Sequence, residues 1–432
     1  LSNSCTFTPE LVSTTLDSGL EVLGVRLPHA QRTVLQLLTS VGSRFDPPSL
    51  RGISHFLEHM LYRGTSSRPS PHALAHAFES LGGTLEAATY VDHGVLVLDL
   101  PSENVAQALP LFCEVFTSPI LQGIDIERGI VREEILETLD DDGVLIDADE
   151  LGHQLCFGDN ALGCPITGGL TELERFDEQA LRAHHVERYT TRSSVFCVAG
   201  PIDSNSLLPA IERGFASVPA GTRPAFESPA VQAEPRFRFT PHVSSQTELR
   251  VIFRAPGQHD PAEPALELLL RVLDDGMSTR LYQQICNDLG LCYDVSAYYE
   301  TWQDCGAVEV AASCTHDRAP DLLAELLELL RRLRDEGPSD SELQVARNRH
   351  RWQIQQLLED PAEIANFYGL ARLMGLAPTL QARLEEVEAV TIDQVRAAAR
   401  RILAPSGLSV VAVGQQQKKA QARMQRLIST FK

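Results

Sequence analysis

Residues 51–65 read Arg-Gly-Ile-Ser-His-Phe-Leu-Glu-His-Met-Leu-Tyr-Arg-Gly-Thr, and their centre, His55-Phe56-Leu57-Glu58-His59, is a His-x-x-Glu-His pattern. On a helix, His55 and His59 stand one turn apart and Glu58 falls three residues after His55, so all three share a face. Two neutral imidazoles so placed can grip one zinc ion. The carboxylate between them sits where it can take a proton from an activated water. Phe56, Leu57, Met60 and Leu61 give the same stretch an apolar face, as expected of a helix buried beside a site. The competing reading is a helix with two incidental histidines, and the remainder of the chain must decide between them.

A catalytic zinc site wants three protein ligands and one open position, so a third ligand has to come from elsewhere. Residues 124–139 read as a long helix carrying Glu127, Glu133, Glu134 and Glu137. The residues alone do not choose among these four. Glu127 and Glu134 are seven apart, two turns along one face, so one can ligate while the other hydrogen-bonds to a ligand.

Composition narrows the class. A chain of 432 residues exceeds what one ordinary core organises, so two domains are expected. No run of eighteen apolar residues is present to span a bilayer. A formal charge of −21 disfavours nucleic acid and anionic membrane as partners and would attract cationic peptides. The nine cysteines are odd in number, lack C-x-x-C spacing, and include several in apolar runs such as Leu111-Phe112-Cys113. They read as buried thiols of a reducing, cytoplasmic setting. The opening LSNSCTFTPE lacks the organisation of a signal peptide, and the missing initiating Met leaves a processed leader open.

Taken in order, residues 15–27 read as two short strands about Asp17-Ser18-Gly19, and 33–41 as an apolar strand. Residues 69–80 read as a helix closed by Leu81-Gly82-Gly83, 84–100 as one or two strands, and 105–116 as a helix. Another buried strand ends at Gly200. Prolines 219, 224, 229 and 235 then mark a linker, after which the pattern begins again. Residues 246–254 match 33–41, 265–273 take the place of the His-x-x-Glu-His helix, 289–298 match 81–90, and 410–414 match the strand ending at Gly200. An offset of about 210 residues suits a duplicated domain rather than a solenoid. The fold class expected is therefore α+β, two homologous α/β sandwich-type domains, with 1–220 bearing the metal, 221–235 as linker, and 236–432 lacking the motif.

Here the chain resembles the insulinase/pitrilysin family of zinc metallopeptidases in its half-length form, which includes mitochondrial processing peptidase and bacterial relatives. The likeness rests on HFLEHMLYRGT (55–65), Gly42-Ser43-Arg44, Leu81-Gly82-Gly83 and ERGIVREEI (127–135). It continues in Pro165-Ile166-Thr167-Gly168, Tyr189, Gly276-Met277-Ser278-Thr279-Arg280-Leu281 and Gly290-Leu291-Cys292-Tyr293. The resemblance implies one zinc ion per chain on His55, His59 and Glu134, with Glu58 as general base and Glu127 in support. It implies peptide substrates, contacted by the strand holding Glu86, Ala88 and Thr89, inside an enclosed chamber.

Two positions depart from the family pattern. Glu86 stands where the family usually has a substrate-contacting Asn. In the second half the family pairs an Arg with a Tyr to hold the substrate carbonyl and the developing oxyanion. Tyr293 matches the Tyr, but the Arg position is Cys286. The expectation drawn is a zinc-bearing endopeptidase subunit whose homologous partner supplies an intact Arg/Tyr pair. A homodimeric peptidase and a non-catalytic core or scaffold subunit are the rivals. The pairs His72/His76 and His184-His185 lack carboxylate partners and are expected to be solvated. The nine acids within 133–150 should end their helix near Leu139, and residues 418–432 read as a basic terminal helix.

Overall fold

The computed structural model describes residues 9–376 and 379–432; Cys5 and most of the opening segment lie outside them. Grouped by contact, the chain forms two compact units.

The first unit is built on a six-stranded sheet. Its strands are β1 (Glu10–Thr15), β2 (Glu21–Arg26), β3 (Arg32–Thr39), β4 (Thr84–Thr89), β5 (Gly94–Pro101) and β6 (Ser194–Gly200). Their order across the sheet is β1-β2-β6-β3-β5-β4. Only β2 and β6 run parallel. Helices α1 (Ile53–Leu61), α2 (Pro71–Glu79), α3 (Val105–Thr117) and α4 (Ile124–Glu137) follow strands of this unit. Pro71 at the head of α2 is preceded by Ser70, whose hydroxyl caps the helix by accepting from the Ala73 N–H. Helix α4 stops two residues before the Leu139 expected from sequence, and Asp140 then accepts backbone N–H bonds in a turn.

The second unit carries a five-stranded sheet of β7 (Arg236–Pro241), β8 (Thr247–Pro256), β9 (Val295–Thr301), β10 (Cys305–Cys314) and β11 (Leu408–Gly414). Its order is β7-β11-β8-β10-β9, with β7 and β11 the one parallel pair. Set β1 aside and the two sheets have the same order and the same sense at every step. The repeat read from sequence is thus a repeat of topology. One local difference matters below. The match of 289–298 to 81–90 would start a strand at Cys292, but β9 begins only at Val295, leaving Cys292, Tyr293 and Asp294 in a loop.

A single cut at the proline-rich stretch does not describe the compact units. The first takes in Ile354–Arg383 from the second half of the sequence, and the second takes in Leu136–Cys164 from the first half. The reason lies in the central strands, which are buried along nearly their whole length and so need cover on both faces. The helix Pro361–Leu373 supplies that cover in the first unit, setting Ile364, Ala365 and Tyr368 among Val34, Leu38, Val195 and Cys197. In the second unit α5 (Ala148–Phe157) sets Ala148 and Leu151 against Val411 and Val413. Each helix comes close through a glycine. A Cβ on Gly369 would stand 2.5 Å from Leu38 Cδ1, and one on Gly152 would stand 2.5 Å from Ile252 Cδ1. Among the described residues, no helix is long and apolar enough to cross a membrane.

Candidate metal centre

The His-x-x-Glu-His stretch is helical, forming α1. Its apolar face is fully used: Ile53, Phe56, Leu57 and Met60 are all buried, and the Phe56 ring stacks at 5.3 Å, tilted, on Phe176. The helix start is fixed by Asp46, which accepts the Gly52 N–H (2.9 Å) and the Ser54 hydroxyl (2.5 Å). A carboxylate there also complements the helix dipole. Burial raises the Asp46 carboxyl to about 7 despite these donors. Gly52 is required in this turn: its φ is +89°, and a Cβ would fall 2.1 Å from the Thr167 carbonyl oxygen. Gly52→Ala should therefore destabilise the fold by at least about 1–2 kcal/mol from the left-handed backbone alone. Urea unfolding followed by far-UV circular dichroism measures the loss, and an unchanged midpoint would mean the turn adapts.

The polar face of α1 presents the imidazoles of His55 and His59 with ring centroids 4.6 Å apart. Glu134 reaches them from α4: Oε1 is 3.5 Å from His55 Nε2, and Oε2 is 3.7 Å from His59 Nε2. One ligand atom from each of the three lies within 4.8 Å of the others. On α4, Glu127, Val131 and Ile135 are buried, Glu134 is half-exposed, and Glu133 and Glu137 face solvent. Of the four glutamates left open by spacing, the structure brings Glu134 to both histidines. Glu127 contacts the other side of His59, with Oε1 2.9 Å from Nδ1, and Arg63 holds its second oxygen at 3.5 Å. That contact puts the His59 proton on Nδ1 and leaves the Nε2 lone pair facing Glu134.

Burial and the neighbouring carboxylates pull the two imidazoles in opposite directions. Burial, with help from His59, lowers His55 to about 3, so it stays a neutral donor at any ordinary pH. Burial also acts to lower His59, but the Glu127 hydrogen bond and the Glu58, Glu127 and Glu134 carboxylates outweigh it and raise the net value. Ligands held about 2.0–2.1 Å from a tetrahedral zinc stand about 3.3 Å apart, close to the spacings found. Two imidazole nitrogens, that of His59 giving up its Nε2 proton to the metal, and one carboxylate oxygen fit a zinc ion in this arrangement. Nδ1 of His55 is buried and finds no partner among the described residues.

Glu58 points beside this group. Burial raises its carboxyl; His59 and the Thr89 hydroxyl, 3.4 Å from Oε2, act to lower it, and Glu134 and Glu127 raise it further. A cavity of about 20 Å³ adjoins it, lined in part by Leu61, Ala88, Thr89, Phe116 and Tyr189, roughly the room one water centre needs. Thr89, Ala88 and Glu86 lie on β4, which among the described residues is an edge strand paired with β5 alone.

An insulinase model, peptidase family M16, matches residues 21–159, and one for the M16 inactive domain matches 175–349. An uncharacterized zinc protease of Streptomyces coelicolor is 30% identical over 403 residues, spanning 90% of this chain and 86% of that protein. The chain belongs to the insulinase family, M16. Two solved structures share its fold. A protease from Helicobacter pylori superposes with a TM-score of 0.86 at 18% identity, covering 94% of this chain and all (100%) of that one. An M16 inactive domain from Pseudomonas fluorescens gives 0.85 at 21% identity, covering 95% and 99%.

Within this M16 chain the remaining candidates fall as follows. Tyr293 lies in the second unit, on the loop before β9, and is 96% exposed. Cys286 lies in the π-helical segment Tyr282–Asp288 of the same unit and is half-buried. His72 and His76 are exposed on α2. The expectation that His184 and His185 are solvated is wrong. His184 is 5% exposed, with Nε2 2.9 Å from the Ser54 hydroxyl, and burial lowers it to about 3; His185 Nε2 meets the Phe116 carbonyl at 2.8 Å. His184 belongs to the frame that holds the start of α1, and His185 binds the end of α3; sequence spacing does not signal the first role because Asp46, Ser54 and His184 are so far apart. Arg63 and Tyr62 were also missed, though both lie within one turn of the motif. Burial, with Glu58 nearby, pushes the Tyr62 phenol up to about 12, which keeps it a neutral donor.

Proposed function

We propose that this chain is the zinc-bearing subunit of an endopeptidase that hydrolyses unfolded peptides, acting with a homologous partner subunit. The observation that carries the reading is the meeting of His55, His59 and Glu134 within 4.8 Å, with Glu58 on the next position of the same helix. When bound, zinc supplies a Lewis acid for the scissile carbonyl and lowers the pKa of the attacking water. Glu58 accepts that water's proton on its carboxylate and returns it to the leaving amine. A carboxyl raised by burial is better matched to both transfers than an exposed one. Thr89 orients Glu58, and Glu127 keeps His59 in the tautomer that presents Nε2.

A peptide can add to the free edge of β4 by main-chain hydrogen bonds, which would carry its backbone past Thr89 and Glu58. The acidic Glu86 on that strand and the net charge of −21 favour basic segments. Tyr293 would steady the tetrahedral oxyanion, in this chain or through its counterpart in the partner. Cys286 in the family's Arg position is the feature that favours a heterodimer over two copies of this chain.

The test begins with the metal. Purified chain should hold one zinc ion, and Glu134→Gln should hold much less, because a neutral amide replaces the anionic ligand. Elemental analysis after dialysis against a weak chelator reads the difference. Full zinc occupancy and normal peptide cleavage in Glu134→Gln would show that the third ligand lies elsewhere.

A further inference from the structure

The second unit carries a pair of thiols that the proposed chemistry leaves unused. Cys286, in the π-helical segment Tyr282–Asp288, has its sulfur 3.9 Å from that of Cys292. Both are half-buried and both are free thiols. Between them the chain turns through Leu289-Gly290-Leu291, with the Leu289 N–H donating to Gln284 O (3.2 Å) and the Leu291 N–H to Ile285 O (3.0 Å). Gly290 has φ +57° and nothing within 4 Å of where a Cβ would be, so the turn is open on its outer side. Arg318 Nη1 donates to the Gly290 carbonyl at 2.6 Å from an exposed side chain that can follow the turn. A disulfide needs its sulfurs about 2.05 Å apart, a closure of about 2 Å. Cys292 is followed directly by Tyr293, whose side chain is 96% exposed.

We infer that Cys286 and Cys292 form a reversible disulfide that locks the loop bearing Tyr293, making this loop sensitive to the thiol–disulfide balance around the protein. The co-reactant is a low-molecular-weight disulfide. The thiolate of Cys286, the partner nearer the surface, attacks one sulfur of that disulfide, giving a mixed disulfide and releasing one small thiolate. The Cys292 thiolate then attacks the Cys286 sulfur and releases the second. Two protein thiols lose two protons and two electrons, and the small disulfide is reduced to two thiols. Burial, reinforced by Cys286, pushes the Cys292 thiol up to about 12, and burial raises Cys286 as well. Exchange should therefore be slow at neutral pH and quicken as pH rises, because only the thiolate attacks.

The experiment uses the full chain with zinc, treated with oxidised glutathione, and reads thiols by alkylation and mass spectrometry. Trypsin should release residues 281–318 as one peptide containing Cys286, Cys292, Cys305 and Cys314, so fragmentation assigns each thiol. The expected result is joint loss of alkylation at Cys286 and Cys292, restored by dithiothreitol. Hydrogen exchange across 289–294 should slow in the oxidised chain and stay unchanged in Cys286→Ser and Cys292→Ser. Thiols that both stay alkylatable, a glutathione adduct that persists on one, a Cys292–Cys314 bond, or unchanged exchange would each overturn the inference.

The consequence for cleavage rests on the role proposed for Tyr293. In the single chain, where no partner supplies its own Tyr, immobilising this donor away from the substrate should lower the residual turnover by about 10²–10³-fold on oxidation. Each serine variant, compared with itself with and without oxidant, should show no such fall. Absence of cleavage in the reduced chain and partner would count against the peptidase reading, while alkylation and exchange would still decide the fate of the disulfide.

Discussion

Glu58→Gln retains zinc and loses peptide hydrolysis by about 10²–10⁴-fold. The side chain is not among the three that meet around the metal position, so its removal takes away no ligand. Glutamine matches the shape of glutamate and can still accept the Thr89 hydroxyl that now lies 3.4 Å from Oε2. What it cannot do is hold the proton taken from water. Removing one carboxylate from beside Glu127 and Glu134 also takes away some attraction for a cation, so zinc content should be equal to wild type or slightly lower. The measurements are zinc content, peptide affinity and turnover on one preparation. Because burial raises the Glu58 carboxyl, wild-type turnover should fall at acid pH through a limb lying above the ordinary glutamate range, and the residual activity of the variant should lack that limb. Undiminished turnover in Glu58→Gln would remove this residue from the mechanism.

The second large effect concerns the partner. The zinc-loaded chain by itself should cleave peptides about 10²–10³-fold more slowly than it does with a homologous subunit carrying Arg and Tyr at the positions of Cys286 and Tyr293. A thiol is a weak donor, and Cys286 is turned toward the sulfur of Cys292. It offers nothing comparable to a guanidinium for a developing oxyanion. Cys286→Arg should rescue the isolated chain in part if it self-associates. Its half-buried site has an outlet to solvent, and the Asp274 and Asp294 carboxylates close enough to act on Cys286 would draw the new cation in. The decisive assay is cleavage by the single purified chain with molecular size measured in parallel. Full activity independent of concentration, with no partner added, would sink the two-subunit reading and leave a peptidase with an unusual substrate clamp.

Much of this protein could be read from residue order. The spacing of His55, Glu58 and His59 puts them on one helical face because an α-helix turns once in 3.6 residues, and the burial of Phe56, Leu57 and Met60 follows from the same period. The duplication was legible for a related reason: strands buried on both faces leave apolar runs, and two such sets recur at one offset. The family likeness then singled out Glu134, which spacing alone left level with Glu127, Glu133 and Glu137. Only the packing of α4 separates them. Its buried line through Glu127, Val131 and Ile135 turns Glu134 toward the histidines and Glu133 and Glu137 to solvent.

What the tertiary structure decided is mostly exchange between distant segments. Nothing in residues 361–373 says that they cover the sheet of the first unit, or in 148–157 that they cover the sheet of the second. An apolar helix face does not name its partner; complementary shape does, here through Gly369 against Leu38 and Gly152 against Ile252. Burial of His184 depends likewise on a hydroxyl 130 positions away. The thiol pair was hidden for a local reason. Cys286 and Cys292 lack the C-x-x-C spacing that marks a redox motif, and their sulfurs meet because a π-helical segment and an open glycine turn fold the chain back on itself. Periodicity reports which face of an element is buried, but which elements meet there is settled by packing across the whole chain.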